Sequence, residues 1–355
     1  MLAIVTQKMT NFNFLCVISL RERLHLPAVD APPAACKTPA AAAAQLVARF
    51  HRQRPLRAGS LIVTLFGDSL LPRGGAIALG SLIELAAPFG LNERLVRTAS
   101  ARLAQDGWLA ARRVGKRSEY RLTEDGRVQF AEATERIYGE AGANWSGRWT
   151  LVVVPSLPAA QRQRLRRELA WQGYGELSSG VFAHPEVRAH GAYRQVSQGA
   201  SHGRAVGGRP TWPAGTLVFD ADLAAPAMAA TLIAKGWDLQ ALAQRYRAFA
   251  GRFERVLAAL REPPDPETGF VLRTLLIHEY RRLHLRDPLL PERSLPAEWP
   301  GTRAALLCRA LYAAVFAASE THLSSVGTQL SGALPPADPA VLERFGGIAP
   351  GGASG

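Results

Sequence analysis

Between residues 90 and 123 the chain reads GLNERLVRTASARLAQDGWLAARRVGKRSEYRLT, and its cations are spaced for contact with a polyanion. Asn92 is placed to cap a helix that Gly107 and Trp108 end. At about 100° per residue, Leu95, Val96, Ala99 and Leu103 gather on one side of that helix and are expected to face a core. Arg94, Arg97, Thr98, Ala101 and Gln105 fall on the other side, with Arg102 at the boundary. Arg bonds guanine bidentately, Gln does so with adenine, and a small Ala permits close approach, so this face suits a major groove. Two strand-like runs follow, residues 109–114 and 119–122, joined by Gly115, Lys116, Arg117 and Ser118. The hairpin carries Arg112, Arg113, Lys116 and Arg117, placed to meet phosphates. A capped helix, a glycine stop and a basic hairpin, in this order, have the grammar of a winged helix-turn-helix. A solvated helix followed by a basic loop is the competing reading; each piece alone favours it, and the order of the three favours DNA.

A second group of candidate residues lies in HEYRRLHLR, residues 278–286. Its histidines, His278 and His284, are six residues apart, about 240° on a helix, so they face different ways. No HExxH occurs either, and a metal site is not expected. His278, Arg281 and Arg282 share one helix face by their i, i+3, i+4 spacing. With Tyr280 among them, Arg286 near by and Trp299 in a Leu/Pro-rich loop, they make a candidate ligand site. The guanidiniums suit a phosphate or a thioester carbonyl, and the indole suits an aryl group. The competing reading is a buried polar network that fixes the Pro-rich loop through Asp287 and Glu279. Arg162, Arg164, Arg166 and Arg167 form a third basic run, either a second phosphate-facing surface or a solvated helix face. Asp220 and Asp222 follow a short strand without a supporting carboxylate cluster, and no Walker-type GxxxxGK[ST] is present. Catalytic residues and a bound cofactor are therefore not expected.

Composition sets the frame for these sites. At 355 residues the chain exceeds the roughly 250 that one compact unit accommodates, so two or three domains are expected. Its formal net charge of +13 points to an anionic partner. An Arg-rich composition inherited from a GC-rich genome would raise the charge equally, so charge supports the case without making it. Cys16, Cys36 and Cys308 lack metal-ligand spacing and fit a reducing compartment. The apolar stretch at residues 14–20 is too short to span a bilayer, and Arg21 and Arg23 follow it directly. A soluble, cytoplasmic protein without membrane contact is expected.

The elements that must position these residues fall into five stretches of an α+β, multidomain chain. Residues 1–55, Pro/Ala-rich at 31–44, read as a poorly structured N-terminal extension. Residues 57–140 make the winged helix-turn-helix domain: an apolar run at 60–66 ended by Gly67 and Asp68, a turn at 72–75, a strand at 76–79 and a helix at 81–87. The recognition helix, the hairpin and a helix from Thr123 to about Tyr138 complete it. Residues 146–236 supply strands at 149–154, 181–183 and 216–219 and helices at 158–173 and 225–234. That order predicts a ferredoxin-like sandwich with a Gly/Ser-rich loop at 190–212. Residues 237–322 read as a helical C-terminal domain for effector binding and dimerisation, with helices at 239–260, 270–285 and 302–319. Residues 323–355, rich in Gly, Pro, Ala and Ser, are expected to be a disordered tail.

Several of these stretches carry a resemblance. LFGDSLLPRGG (65–75), LNERLVRTASARLAQDGWL (91–109), GKRSEYRLT (115–123), GYGELSSGVFAHP (173–185), GWDL (236–239) and LIHEYRRLHLRDPLLPERSLPAEWPG (276–301), followed by an LYAAVF helix, occur in one order. Together they resemble the PaaX-type repressors of phenylacetic-acid degradation over residues 57–320. The resemblance implies a homodimeric repressor whose winged helix binds double-stranded operator DNA. It implies a middle domain similar to the small ferredoxin-like nucleases of CRISPR systems. It also implies release from DNA by an aryl-CoA thioester, phenylacetyl-CoA above all. The insertion at 191–208 departs from the family's usual pattern. The residues alone leave open a metal-dependent nuclease, a CoA-ester-processing enzyme with a DNA-binding head, and a scaffold whose winged module binds protein.

Overall fold

A computed structural model of the chain describes residues 38–53, 56, 58–139, 145–171, 173–187, 212–225, 227–290 and 294–348. The apolar stretch at 14–20, Cys16, Cys36 and all but the last residue of the Gly/Ser-rich loop lie outside the described residues. The chain divides into two compact units. Residues 1–139, 247–281 and 301–355 belong to the first, and residues 140–246 and 282–300 to the second.

The first unit opens with α1, Pro39–Arg52, inside the stretch expected to be unstructured. Alanine is the best helix former, so a run that reads as low complexity also favours helix. Thr38 caps it, accepting the Ala41 N–H at 3.2 Å, and Pro39 starts it. Ala42, Leu46 and Phe50 recur every four residues and are buried. Next comes α2, Ala58–Thr64, which runs on through a π-helical turn, Leu65–Leu70. Gly67 and Asp68 therefore continue the helix where an end was expected. Gly67 is required there, because a Cβ would meet the Phe130 ring at 2.8 Å. Gly74 and Gly75, with φ of 85° and 69°, then turn the chain into β1, Ala76–Ala78.

Helices α3 (Leu79–Ala86) and α4 (Glu93–Gln105) follow, then strands β2 (Leu109–Val114) and β3 (Arg117–Leu122) and helix α5 (Glu124–Tyr138). The three strands form one antiparallel sheet in the order β1-β3-β2. Helices α8 (Leu239–Ala259) and α9 (Pro266–His284) each contain a unit boundary, and their larger parts lie in the first unit. Helix α10, Pro300–Val326, continues well past the expected end at 319. By length and composition it could cross a membrane, but half of its most apolar stretch is buried within the structure. Ser319 and His322 are buried with Leu307, Leu311 and Leu323, as in the core helix of a globular unit.

The chain beyond residue 323 is ordered as far as Ile348, which corrects the expected disordered tail. Strands β8 (Thr328–Gln329) and β9 (Gly332–Ala333) pair, and the Thr328 N–H donates to Ser81 Oγ at 3.1 Å. Gln329 Nε2 donates to the Ala76 carbonyl at 3.1 Å, and Leu330 N–H donates to the buried Glu119 Oε2 at 2.8 Å. Leu334, Val341, Phe345 and Ile348 are buried. Composition weighs the glycines and prolines of this segment and misses these anchors.

A buried charge holds the first unit together. Asp68, 2% exposed, accepts Arg273 Nε at 2.8 Å, the Tyr138 hydroxyl at 2.6 Å, the Tyr312 hydroxyl at 2.9 Å and Arg344 Nη1 at 2.9 Å. Arg273 also donates to Glu320 Oε1 at 2.6 Å, and Arg73 pairs with the same carboxylate. Burial pushes the Asp68 carboxyl up, but Arg273 and Arg344, helped by the tyrosine, hold it below its ordinary value. Asp68 comes from the π-helical turn, Tyr138 from α5, Arg273 from α9, Tyr312 from α10 and Arg344 from the C-terminal segment. One carboxylate thus gathers five stretches that are remote in sequence.

The second unit contains β4 (Trp145–Val153), α6 (Ala159–Trp171), β5 (Gly175–Ser178), β6 (Val181–Val187), β7 (Leu217–Ala221) and α7 (Met228–Gly236). Its sheet has the order β5-β6-β4-β7, with antiparallel neighbours throughout. β4 and β5 therefore run parallel with β6 inserted between them, a split β-α-β arrangement. Val152, Leu165, Leu169, Tyr174 and Phe182 fill one core cluster, and Trp149, Ala183, Ala229 and Ile233 another. Strand β5 was not among the strands expected from the sequence. Gly175 is needed for close packing, since a Cβ there would lie 2.6 Å from the Trp237 ring.

Candidate nucleic-acid interface

Helix α4 is set by its two ends. Asn92 Oδ1 accepts the Leu95 N–H at 2.9 Å. At the other end Gly107 takes a φ of 79°, Trp108 N–H bonds the Leu103 carbonyl at 2.9 Å and Gly107 N–H bonds the Ala104 carbonyl at 3.1 Å. That is a Schellman stop, which only glycine enters without strain. Thr123 joins the helix end to the hairpin exit: its hydroxyl donates to the Gly107 carbonyl at 2.7 Å and accepts the Gly126 N–H, capping α5. The Trp108 ring packs edge-on against Phe130 at 5.4 Å. The hairpin is thereby held to the base of α4.

Val96, Ala99 and Ser100 form the buried face of α4, with Leu103 half-buried. Leu95, expected in the core, is instead 36% exposed. It stands one position before Val96, so a narrow buried stripe centred on Val96 and Ser100 leaves it at the edge. Arg94, Arg97, Thr98, Ala101, Arg102 and Gln105 are all exposed. Arg97 pairs with Glu93 one turn earlier, Nη2 to Oε1 at 2.6 Å, both side chains being more than half exposed. Such a pair is worth a few tenths of a kcal/mol, about 0.3–0.5, and yields easily to a stronger acceptor.

The β2–β3 turn is tighter than the four residues expected. Val114 pairs with Arg117, leaving Gly115 and Lys116 as a two-residue turn with Gly115 at a φ of 59°. Arg112, Arg113, Lys116 and Arg117 are exposed. Arg112 and Arg117 lie on one face of the ribbon and Arg113 on the other, by the register that sets Arg112 opposite Glu119 and Arg113 opposite Ser118. Arg113 Nε donates to the Gly115 carbonyl at 3.1 Å, which steadies the tip. Arg94, Arg102, Arg112, Lys116 and Arg117 have no ion-pair partner among the described residues. The sequence reading missed Arg121, half exposed on β3 and loosely paired with Glu119 at 3.9 Å. Period-2 alternation with Arg117 is the signal that could have found it.

The residues named for a ligand are placed in both units. In the first, His278 is fully buried; its Nδ1 lies 3.0 Å from Thr64 Oγ1 and its ring stands edge-on to Phe50. Arg281 donates to Thr64 Oγ1 at 2.8 Å and to the Ser60 carbonyl and hydroxyl at 2.6 and 2.9 Å. Tyr280 is buried against Phe249 and Phe345. These three fasten α9 to its neighbours. Arg282, Arg286 and Trp299 belong to the second unit. Trp299 is buried, edge-on to Tyr246, whose hydroxyl donates to Asp287 at 2.6 Å. Asp287 also accepts the Leu289 N–H, so it fixes the Pro-rich loop, while Glu279 pairs instead with Arg252 and Arg49 in the first unit.

Arg162, Arg164, Arg166 and Arg167 are exposed on α6, and two of them pair with Glu168 and Glu176. Asp220 is exposed and Asp222 lies 3.7 Å from Arg148. Among the described residues no three His, Cys, Asp or Glu are grouped to hold a metal ion.

A capped basic helix and a basic hairpin on a three-stranded sheet, in a chain that also carries a split β-α-β unit, define a multidomain α+β protein with a built cationic surface. Comparison with known proteins places it further. Residues 57–126 match the model of the PaaX-like protein family, residues 142–202 that of the PaaX protein central Cas2-like domain, and residues 237–325 that of the PaaX-like protein C-terminal domain. Over 300 residues, 83% of this chain and 92% of the relative, it is 35% identical to the transcriptional repressor PaaX of Escherichia coli (strain K12). The chain belongs to the PaaX family. It is also 24% identical to a solved structure, the uncharacterized protein Rv0674 from Mycobacterium tuberculosis, covering 69% of this chain and 89% of that one with a TM-score of 0.43.

Proposed function

We propose that this protein is a DNA-binding transcriptional repressor of an aromatic-acid, phenylacetate-type catabolic operon, acting in the cytoplasm without catalysis. The observation that carries the reading is the pairing of α4 with the β2–β3 hairpin. One offers Arg94, Arg97, Thr98, Ala101, Arg102 and Gln105 in the open, and the other Arg112, Arg113, Lys116 and Arg117. The helix–strand–helix–helix–hairpin order is that of a winged helix-turn-helix, with α4 for the major groove and the wing for the backbone. The E. coli relative, named a transcriptional repressor, supports the same role. A homodimer would set two such helices in successive major grooves, so the operator is an imperfect inverted repeat.

The effector in this reading is an aryl-CoA thioester such as phenylacetyl-CoA, as the family resemblance implies. Of the residues expected to sense it, His278, Tyr280 and Arg281 lie together in the first unit. The support lies in what Arg281 holds: an anion that took its guanidinium would remove its bonds to Ser60 and Thr64 and loosen α2, which precedes the DNA-facing elements. Effector and DNA are then linked reciprocally through one equilibrium.

Fluorescence anisotropy on the DNA upstream of the protein's own gene, with and without phenylacetyl-CoA, tests both parts. Specific binding abolished by the thioester but not by free CoA is expected. Specific binding indifferent to the thioester would remove the effector, and no specific binding would remove the repressor. Arg97→Ala should lose discrimination between operator and random duplex, a loss of about 1–3 kcal/mol. Lys116→Ala should weaken both duplexes alike and lower the salt slope by about one.

A further inference from the structure

On one face of the β1-β3-β2 sheet a single carboxylate stands among three arginines. The register sets Glu119 directly opposite Arg112, and Arg117 and Arg121 lie two residues to either side of it on β3. All four side chains therefore leave the same face. A Glu and an Arg facing each other across two strands ordinarily make a favourable pair. Here they do not. Arg112 and Arg117 are exposed with no ion-pair partner among the described residues, and Arg121 Nε stays 3.9 Å from Glu119 Oε1. Glu119 is instead 3% exposed, and its Oε2 accepts the Leu330 N–H at 2.8 Å.

That N–H arrives from a stretch more than two hundred residues further along the chain. Gln329 pairs with Gly332, which leaves Leu330 and Ser331 as a two-residue turn between β8 and β9. The turn is seated on the sheet by Gln329 Nε2, which donates to the Ala76 carbonyl at 3.1 Å, and by the Thr328 N–H on Ser81 Oγ. Ser81 Oγ donates in turn to the carbonyl of Val326, the last residue of α10, at 2.8 Å. Ala76 and Ala78, on the Glu119 face of β1, are too small to hold the turn away. Glu119 as a plain anchor for this turn is the simpler explanation. An anchor needs only an acceptor, which a neutral Gln supplies without burying a charge. A carboxylate has a second consequence: freed from Leu330, it lies beside Arg112 and Arg121 and competes with phosphate for both.

We propose that Glu119 is a positioning residue of the wing, kept off Arg112 and Arg121 by the Leu330 N–H, so that seating of the β8–β9 turn leaves those guanidiniums free for DNA phosphates. With the turn lifted, Glu119 takes the guanidiniums itself, and the hairpin offers fewer cations to the backbone. The inference rests on the reading of the β2–β3 hairpin as a DNA-facing wing.

The test is fluorescence anisotropy of the full-length protein on a random duplex of about 20 base pairs over a range of salt concentrations, with thermal midpoints measured alongside. Leu330→Pro removes the N–H at the first central position of a turn, where proline is favoured. Leu330→Ala keeps the N–H and loses only the side chain. Leu330→Pro should bind at least about threefold more weakly than wild type, with a salt slope lower by about one, and Leu330→Ala should stay within about twofold. Leu330→Pro/Glu119→Gln should regain the wild-type affinity and slope, because an amide does not hold the guanidiniums as a carboxylate does. A loss that Glu119→Gln leaves in place, an unchanged slope, or an equal loss in Leu330→Ala would overturn the proposal and leave Glu119 an anchor. If Leu330→Pro lacks a cooperative melt, Gln329→Ala takes its place, since it releases the turn from the Ala76 carbonyl and leaves the backbone intact. The same loss, cancelled by Glu119→Gln, is expected of it, and a loss not cancelled overturns the proposal equally. No duplex binding by the wild type would remove the DNA reading and this inference together, whereas wild-type binding that the variants do not move removes the inference alone.

Discussion

Asp68 carries the charge on which the first unit closes. Two guanidiniums and two phenols point at it, and the guanidiniums lie over aromatic faces, Arg273 4.9 Å from both the Tyr312 and Phe316 centroids and Arg344 4.2 Å from that of Tyr138. A buried ion pair gains little over an apolar substitute, but removing one partner strands the other in low dielectric. Asp68→Asn keeps the shape, removes the charge and should cost about 3–5 kcal/mol, read as a lower midpoint in urea unfolding. A loss below about 1 kcal/mol would mean that the arginines find other partners. His322 gives a pH signature of opposite origin. Burial pushes its imidazole below its ordinary value, against the pull of Glu267, Glu84 and Asp265, and its ring stacks on Phe270 at 4.9 Å. The folded state then resists the proton that the unfolded state takes up. The stability His322 contributes is full above its unfolded value of 6.5 and declines as pH falls below it toward the lower folded value. His322→Leu should flatten the thermal midpoint between pH 7 and 5 relative to wild type; an unchanged pH profile would assign that slope to other groups.

Among the elements, the C-terminal segment has the largest structural role for its length. Its 3₁₀ stretch, Pro339–Gly346, delivers Arg344 to Asp68 and Phe345 to a cluster with Tyr138, Tyr280 and Tyr312. Phe345 takes a φ of 57°, a left-handed conformation that costs a non-glycine residue about 1–2 kcal/mol. The aromatic packing and the arginine bonds hold it there. Ending the chain after residue 336 should therefore destabilise the first unit severely, with loss of a cooperative thermal transition at temperatures where the full chain is folded. Retention of the full-length midpoint would show that the segment is only applied to a surface that is stable without it. Helix α1 is a second element whose identity depends on its surroundings: its buried Phe50 faces His278 of α9, 5.6 Å between ring centroids.

For the molecule as a whole, the division of the chain separates sequence neighbours and joins distant stretches. The elements proposed to face DNA lie in one unit with residues 247–281 and 301–355, not in a self-contained N-terminal block. A fragment of residues 1–139 would keep α4, its caps and the hairpin, yet leave Asp68 without Arg273, Tyr312 and Arg344. It should show helical circular dichroism without a sharp melt, and operator affinity well below that of the full chain. A cooperative melt matching the intact protein would establish the N-terminal block as autonomous.

Local grammar determined much of what could be read in advance. The Asn92 cap, the Gly107 stop, the Thr123 cap and the β2–β3 alternation involve groups a few residues apart, so sequence order alone places them, and with them every cation of the candidate DNA interface except Arg121. The α6 and α8 helices were legible for the same reason, since Leu165 and Leu169, or Phe249, Phe253 and Val256, announce their buried faces by spacing. What only the tertiary structure decided depends on partners far away in the chain. Asp68 looked like a helix stop because nothing nearby reveals that Arg273 and Arg344, 205 and 276 residues later, will neutralise it. The Ala-rich start and the Gly/Pro-rich end looked unstructured because each has a weak local signal and a strong distant one. His278 and Arg281 share the helix face that their spacing predicts, but what that face meets, Thr64 and Ser60, was set by packing. Periodicity reports the direction of a side chain, while its neighbour is chosen by the free energy of burying the whole unit at once.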